Sequence, residues 1–192
     1  MTILLRLYGP LSPDPVDADP IHSAADPVHP DTARSVPRAD RLPARSREGG
    51  IGSPIPALTA KDLHDSFDER RGGQPHEAID IIAPRGTPVL AVDSGAIRKL
   101  FTSKAGGLTV YQFDNDELYC YYYAHLDRYA EGLTEGKPVQ RGDLIGYVGS
   151  SGNAKPDAPH LHFAIFLLGP GKRWWEGKAI NPYPILIQAV KK

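Results

Sequence analysis

The chain has 192 residues, and its 19 glycines and 19 prolines exclude a long helical bundle or a coiled coil. Its formal net charge of −1, from 22 basic and 23 acidic side chains, argues against nucleic acid or an anionic membrane as a partner. No stretch approaches the roughly 20 consecutive apolar residues that a membrane-spanning helix needs.

The first part of the chain is expected to be a flexible, Pro-rich arm or linker. Eight of the 19 prolines lie in the first 50 residues, and Tyr8 is the only aromatic residue before Phe67. A segment with so few large apolar side chains cannot offset the entropy lost on ordering. Its first 11 residues also lack the basic start and the cleavage site of a signal peptide. We therefore predict an arm over residues 1–57 and a folded domain over residues 58–192.

The domain begins with a short predicted helix from Thr59 to Phe67, which Thr59 would cap. After it, apolar, β-branched and aromatic runs alternate with Gly-, Pro- and Asp-rich turns, a pattern typical of antiparallel sheets in a sandwich or a barrel-like fold. Seven strands are predicted: Ile79–Ala83, Pro88–Val92, Ala96–Phe101, Leu108–Phe113, Leu118–His125, Leu144–Val148 and His160–Leu168.

The last predicted strand carries two histidines. Because side chains alternate faces along a strand, His160 and His162 share one face. The other face then presents an apolar stripe to the core: Leu161, Phe163, Ile165 and Leu167. Two imidazoles beside such a stripe suit a metal or acid/base site, although two surface histidines would fit the same pattern.

Two earlier segments offer further polar groups. His76 and Asp80 are four residues apart, which places both on one side of a strand. Pro84 breaks any long helix here, so the segment is not the helical His-Glu-x-x-His zinc motif. His125 ends a tyrosine-rich strand and, by alternation, shares a face with the residues at 119, 121 and 123. A well-packed strand with a polar end explains that segment equally well.

Together these segments supply imidazole nitrogens and a carboxylate. Two neutral histidines and one aspartate are typical of a catalytic zinc site, because three protein ligands leave one tetrahedral position open. Cys120 is the single cysteine, so neither a disulfide nor a thiolate-rich structural zinc site is possible within the chain.

From about Phe67 to Phe166 the sequence resembles the lysostaphin-type zinc endopeptidases, which cut peptide bonds in bacterial peptidoglycan. The resemblance is carried by His76-x-x-x-Asp80, Tyr123-Ala124-His125-Leu126 and Pro159-His160-x-His162. It implies a mainly β fold of antiparallel sheets, of the barrel-sandwich or duplicated hybrid-motif type, with a central groove. It also implies one Zn²⁺ per chain and hydrolysis by attack of zinc-bound water.

The resemblance also implies roles for single residues. His76, Asp80 and His162 match the zinc ligands, and His125 and His160 match the non-ligand histidines of the active site. One of the latter would act as base while the other stabilises the oxyanion, in an order that the motif leaves open. The substrate would be a peptidoglycan peptide, with no nucleic-acid partner, no membrane span and a monomer as the default state. The compartment would be the cell envelope, periplasmic or secreted.

Some positions depart from the family pattern. Ala78 stands where many members have glycine, and residues 152–158 replace a Ser-Thr-Gly loop. Some relatives have lost their metal and bind peptidoglycan or activate other hydrolases, which is the main alternative function. A lipoyl- or biotin-type carrier domain is a more distant alternative, since the chain lacks the lysine at a hairpin tip that such domains modify. Trp174 and Trp175 are expected either to edge the groove or to pack against the sheet.

The Pro-rich arm has two possible functions under this resemblance. It can act as a spacer, the commoner role of such segments. Alternatively, it can cover the groove as a latency segment, with His29 or Asp31 at the open zinc position.

Overall fold

The computed structural model describes residues 50–191, so residues 1–49 of the predicted arm lie outside the described part of the chain. Between residues 50 and 191, no helix combines the length and the apolar character needed to cross a membrane. The elements are a 3-10 helix at Ala60–Asp62, strands β1 (Arg70–Arg71), β2 (Gln74–Pro75), β3 (Ile79–Ile82), β4 (Pro88–Leu90), β5 (Gly95–Ser103), β6 (Gly107–Asp114), β7 (Tyr119–Tyr129), β8 (Pro138–Val139), β9 (Leu144–Val148), β10 (His160–Leu167) and β11 (Lys178–Ile180), and helix α1 (Tyr183–Val190).

The strands form one large antiparallel sheet and one small hairpin. Strands β1 and β2 make the hairpin, and the nine others form a sheet whose main order is β11-β10-β7-β6-β5-β8. Strand β3 pairs with β10, while β9 links β4 to the second half of β7. Strand β10 therefore lies between β7 on one side and β3 with β11 on the other. The mainly β, antiparallel fold predicted from the sequence is confirmed.

All seven predicted strands are present, with ends shifted by a few residues. The predicted helix from Thr59 to Phe67 was wrong in length. It is a single 3-10 turn that begins where the Thr59 backbone amide donates to Asp62 Oδ2 at 2.9 Å, and it ends because Leu63 is extended. The short strands β1, β2, β8 and β11 were not predicted, because two or three residues carry too little alternation to be recognised. Helix α1, eight residues with a proline in its first turn, was not predicted either.

The core lies on both faces of β7. Its odd-numbered tyrosines, from Tyr119 to Tyr123, pack with Phe163 and Ile165 of β10 in one apolar cluster. Tyr122 packs in a second cluster on the opposite face. The apolar stripe predicted for β10 is buried at Leu161, Phe163 and Ile165 but not at Leu167, which is 41% exposed because the strand ends there.

Buried tyrosine hydroxyl groups anchor β7 to β6 and to the segment between β4 and β5. The Tyr123 hydroxyl accepts the backbone amide of Val92 at 3.0 Å and donates to Gln112 Oε1 at 2.8 Å. The Tyr121 hydroxyl donates to Asp93 Oδ2 at 2.8 Å. Burial raises the pKa of Tyr123 well above its ordinary value, so the phenol stays protonated and can donate. These bonds fix the strand that leads to His125.

The start of the described chain belongs to the core. Ile51 and Ile55 are 2% and 4% exposed and pack in the larger apolar cluster. Gly52 donates its backbone amide to Val92 at 2.6 Å, and Leu90 donates to Pro54 at 2.9 Å. Both isoleucines lie on the arm side of the division predicted between residues 57 and 58.

Candidate metal centre

Three donor atoms from His76, Asp80 and His162 face one another in the structure. His76 Nε2 lies 3.2 Å from Asp80 Oδ1, His162 Nδ1 lies 3.1 Å from the same oxygen, and the two nitrogens are 3.1 Å apart. Ligands at zinc bond lengths lie about 3.3 Å apart along the edge of a tetrahedron. The three atoms are therefore spaced as ligands of one small cation.

Strand pairing brings two of these residues together. In the antiparallel β3·β10 ladder, Asp80 is the direct partner of His162, so the two side chains lie side by side on one face. His76 lies before β3, and the intervening Glu77 has a left-handed φ of +53°. The spacing predicted that His76 and Asp80 share one side of a strand; His76 instead precedes β3, and a turn at Glu77 brings it beside Asp80.

The backbone around His76 selects its tautomer. His76 is buried, and its Nδ1–H donates to the Ser66 carbonyl at 3.1 Å. A neutral ring with its proton on Nδ1 carries its lone pair on Nε2, the atom that faces Asp80 and His162. Metal-binding histidines are commonly oriented in this way by a backbone carbonyl. The environment of His76 thus suits a metal ligand.

Asp80 divides its two oxygens between different partners. Oδ1 faces the two histidines, while Oδ2 accepts a hydrogen bond from Arg71 Nη1 at 2.5 Å. Burial pushes the pKa of Asp80 upward, but its close contacts with His162 and His76 outweigh burial and hold that pKa well below its ordinary value. The carboxylate is therefore ionised and can serve as an anionic ligand.

His125 and His160 lie beside this group of atoms. The ring centre of His125 is 4.8 Å from that of His160 and 5.6 Å from that of His162, and His160 Nε2 is 3.8 Å from Asp80 Oδ1. His125 Nδ1 donates to the Ser151 carbonyl and His160 Nδ1 to the Ala158 carbonyl, each at 2.9 Å. In the neutral ring each lone pair is then on Nε2.

The predicted face of His125 was wrong. Alternation would place it with the tyrosines that pack in the core, but its φ is +59° and the β6·β7 register shifts across it, since Val110 pairs with Tyr123 and Leu108 with Leu126. This bulge turns His125 to the face of Tyr122, where both residues line the same pocket. Its backbone amide donates to the Gly106 carbonyl at 2.8 Å, which supports the unusual conformation.

A pocket of about 240 Å³ opens at this group of residues. It is lined by Arg71, Gln74, Pro75, His76, Ala105, Gly106, Tyr122, Ala124, His125, Asn153 and His162. Trp174 does not line it. Trp174 packs against Phe101 and Tyr111, with ring centres 5.3 and 4.8 Å away, which agrees with the packing alternative for this residue.

Arg71 and Ser151 were not among the site residues predicted from the sequence. Arg71 contacts Asp80, and Ser151 supplies the carbonyl that holds His125. A signal for Arg71 was present, since Gly72-Gly73 is a favoured two-residue hairpin turn that folds Arg71 back along the chain. Ser151 acts through its backbone and its loop position, for which the sequence carries no comparable signal.

Comparison with known proteins agrees with these features. The model of peptidase family M23 matches residues 74–182. An L-Ala–D-Glu endopeptidase of Bacillus subtilis is 31% identical over 141 residues, which are 69% of this chain and 42% of the relative. A peptidoglycan DD-endopeptidase of Vibrio cholerae is 32% identical over 94 residues, 49% of this chain and 21% of the relative. This chain thus spans less than half the length of either curated relative.

A solved structure shares the fold. The catalytic domain of the antimicrobial peptidase lysostaphin from Staphylococcus simulans is 30% identical, has a TM-score of 0.52, and is matched over 71% of this chain and 88% of its own. The resemblance inferred from the histidine motifs is confirmed. Since the family model covers more than half of the residues, including all five predicted site residues, the chain belongs to peptidase family M23.

Proposed function

We propose that this protein is a zinc-dependent endopeptidase that hydrolyses peptide bonds in bacterial peptidoglycan. The observation that carries the proposal is the convergence of His76 Nε2, Asp80 Oδ1 and His162 Nδ1 within 3.2 Å of one another, with two more histidines alongside. The family supports the reaction class, and the names of the Bacillus and Vibrio relatives support the substrate class.

These three atoms would hold the zinc ion. Two neutral imidazoles and one carboxylate leave a Zn²⁺ site with a net charge of +1 and one open coordination position. When bound, zinc supplies a Lewis acid that polarises the scissile carbonyl and activates a water molecule. The buried Ser66 bond to His76 and the paired strands under Asp80 and His162 keep the ligands in place.

His125 and His160 would act as general acid and general base. With Nδ1–H committed to a backbone carbonyl, each ring can accept or donate a proton only at Nε2. Hydrolysis needs a base for the attacking water and a donor for the tetrahedral oxyanion and the departing amine. Two imidazoles with ring centres 4.8 Å apart can divide these tasks without a glutamate.

The pocket offers hydrogen-bonding side chains to a peptide bound at the centre. Its polar lining includes Gln74 and Asn153, whose amides can pair with a peptide backbone. Because the Vibrio relative is named a peptidoglycan endopeptidase, we place the activity outside the cytoplasm, either in the periplasm or after secretion.

Two measurements test the proposal together. Purified protein supplied with zinc should retain close to one equivalent after gel filtration, measured by inductively coupled plasma mass spectrometry. Incubation with purified peptidoglycan should release fragments whose masses identify a cut peptide bond, and chelation should abolish the release until zinc is restored. A protein that binds peptidoglycan but holds no zinc would instead support the metal-free alternative.

A further inference from the structure

The hairpin β1–β2 carries Arg71 to the candidate metal centre. Its two-residue turn, Gly72-Gly73, has φ values of +59° and +91°, which glycine adopts at little cost. Arg71 pairs with Gln74 across the turn, and both side chains line the pocket. The hairpin is therefore a wall of the pocket.

The hairpin is tied to the ligand segment by its backbone. The Glu69 carbonyl accepts the His76 amide at 2.8 Å, and the Phe67 carbonyl accepts the Glu77 amide at 2.9 Å. The segment that precedes Arg71 is thus held against the segment that bears His76. This arrangement determines where the Arg71 guanidinium can reach.

Arg71 reaches the second oxygen of Asp80. Arg71 Nη1 lies 2.5 Å from Oδ2, while Oδ1 faces the two histidines. Arg71 Nη2 is also 3.4 Å from Glu69 Oε2, so a second carboxylate offsets the positive charge of the guanidinium. The Asp80 side chain is 15% exposed, and this shielding from water strengthens its contacts with charged groups.

We propose that Arg71 is a positioning residue that makes Asp80 a single-oxygen metal ligand, an inference that rests on the proposed zinc site. A carboxylate with both oxygens available can rotate and bind a cation through either or both. With Oδ2 held by Arg71, only Oδ1 is presented to the cation. The open coordination position then stays available for water and substrate.

Zinc affinity, measured by competition with a chromophoric chelator, tests this role without using activity. Arg71→Ala should bind zinc about 10- to 100-fold more weakly than the parent, as is typical when a partner of a metal ligand is removed. Arg71→Lys should recover part of the affinity. Arg70→Ala removes the same charge from the adjacent exposed position of the hairpin and should bind zinc as the parent does.

Cobalt substitution gives a second readout that a merely structural role would not change. If Asp80 gains its second oxygen as a ligand in Arg71→Ala, the visible bands of bound Co²⁺ should weaken as the coordination number rises. Equal zinc affinity and an unchanged cobalt spectrum in Arg71→Ala would overturn the inference while leaving the zinc site standing. If the parent itself bound no zinc, the proposed function would fail first. Should Arg71→Ala not fold, Arg71→Gln is judged by the same two measurements.

Discussion

His76 is held by three segments of the chain. Its ring bonds to the Ser66 carbonyl, its amide bonds to the Glu69 carbonyl, and its Nε2 faces Asp80 and His162. His76 is only 4% exposed, so the orientation of its ring is determined by packing as well as by these bonds. A ligand held in this way needs little reorganisation on metal binding.

Replacing His76 should remove the metal. In His76→Ala one of three protein ligands is lost, and two ligands do not make a stable zinc site. We expect the purified variant to hold almost no zinc by mass spectrometry and to release no peptidoglycan fragments. A His64→Ala variant, which alters an exposed histidine outside the pocket, provides the control and should keep both properties. Stoichiometric zinc in His76→Ala would contradict the ligand assignment.

Replacing His125 should separate metal binding from cleavage. Loss of a general acid or base typically lowers the rate by about 10²- to 10⁴-fold. The backbone at residue 125 has a left-handed φ of +59°, and alanine bears the same steric cost there as histidine, so the fold should survive. We therefore expect His125→Ala to retain zinc and its circular dichroism spectrum while kcat falls. A kcat equal to that of the parent would show that His125 takes no part in proton transfer.

At the scale of elements, the loop after β9 is docked on the β5–β6 turn. Ser151 Oγ donates to the Leu126 carbonyl at 2.7 Å and accepts the Leu108 amide at 2.9 Å. A β-carbon at Gly107 would lie 2.2 Å from Ser151 Oγ, so glycine is required for this close approach. The same loop supplies the Ser151 carbonyl that orients His125. Loop docking and His125 orientation are thus coupled.

Removing the Ser151 hydroxyl should impair cleavage without removing metal. Ser151→Ala leaves a partly buried amide and a carbonyl without this partner, at a cost of about 1 to 3 kcal/mol in unfolding free energy. We expect kcat/KM to fall at least about tenfold, because a catalytic ring displaced by a fraction of an ångström loses rate steeply. Ser150→Ala, on the exposed side of the loop, should stay near the parent in both assays. Equal losses in both serine variants would argue against the coupling.

The strand register at the centre is a second property of the elements. Pairing of Asp80 with His162 and of Ile79 with Phe163 places polar side chains on one face of β3·β10 and apolar side chains on the other. A shift by one residue would exchange these faces and bury the ligands in the core. Core packing therefore holds the metal ligands opposite each other.

For the molecule as a whole, we propose that the folded unit includes residues 50–57. Ile51 and Ile55 are buried in the main cluster, and this segment exchanges backbone hydrogen bonds with residues 90 and 92. Complete burial of an isoleucine side chain contributes about 1.5 to 3 kcal/mol. The two side chains together contribute about 3 to 6 kcal/mol, a substantial part of the 5 to 15 kcal/mol typical of a domain.

Shortening the chain from its amino terminus tests where the folded unit begins. A chain that starts at residue 58 should have an unfolding free energy about 3 to 6 kcal/mol below that of a chain starting at residue 50. Its melting temperature should be lower by about 10 °C or more. Urea titration and thermal scans followed by circular dichroism measure both quantities. Equal unfolding free energies for the two chains would instead support a domain boundary between residues 57 and 58.

Much of the architecture could be read from the chain because local patterns encode it. Short apolar runs between Gly- and Pro-rich turns predicted seven strands, and alternation in β10 placed His160 and His162 on one face. Order and spacing of the histidine motifs were enough to predict the family. The small strands were missed because two or three residues carry too little alternation, and the early helix was predicted too long because Leu63 is extended.

The amino-acid sequence determined which residues could supply nitrogen and oxygen donors, and on which elements most of them lie. It did not determine how those elements meet. The Asp80–His162 register and the bulge that turns His125 into the pocket depend on contacts between distant segments. Such contacts arise from packing and backbone hydrogen bonding across the sheet, which no local periodicity records.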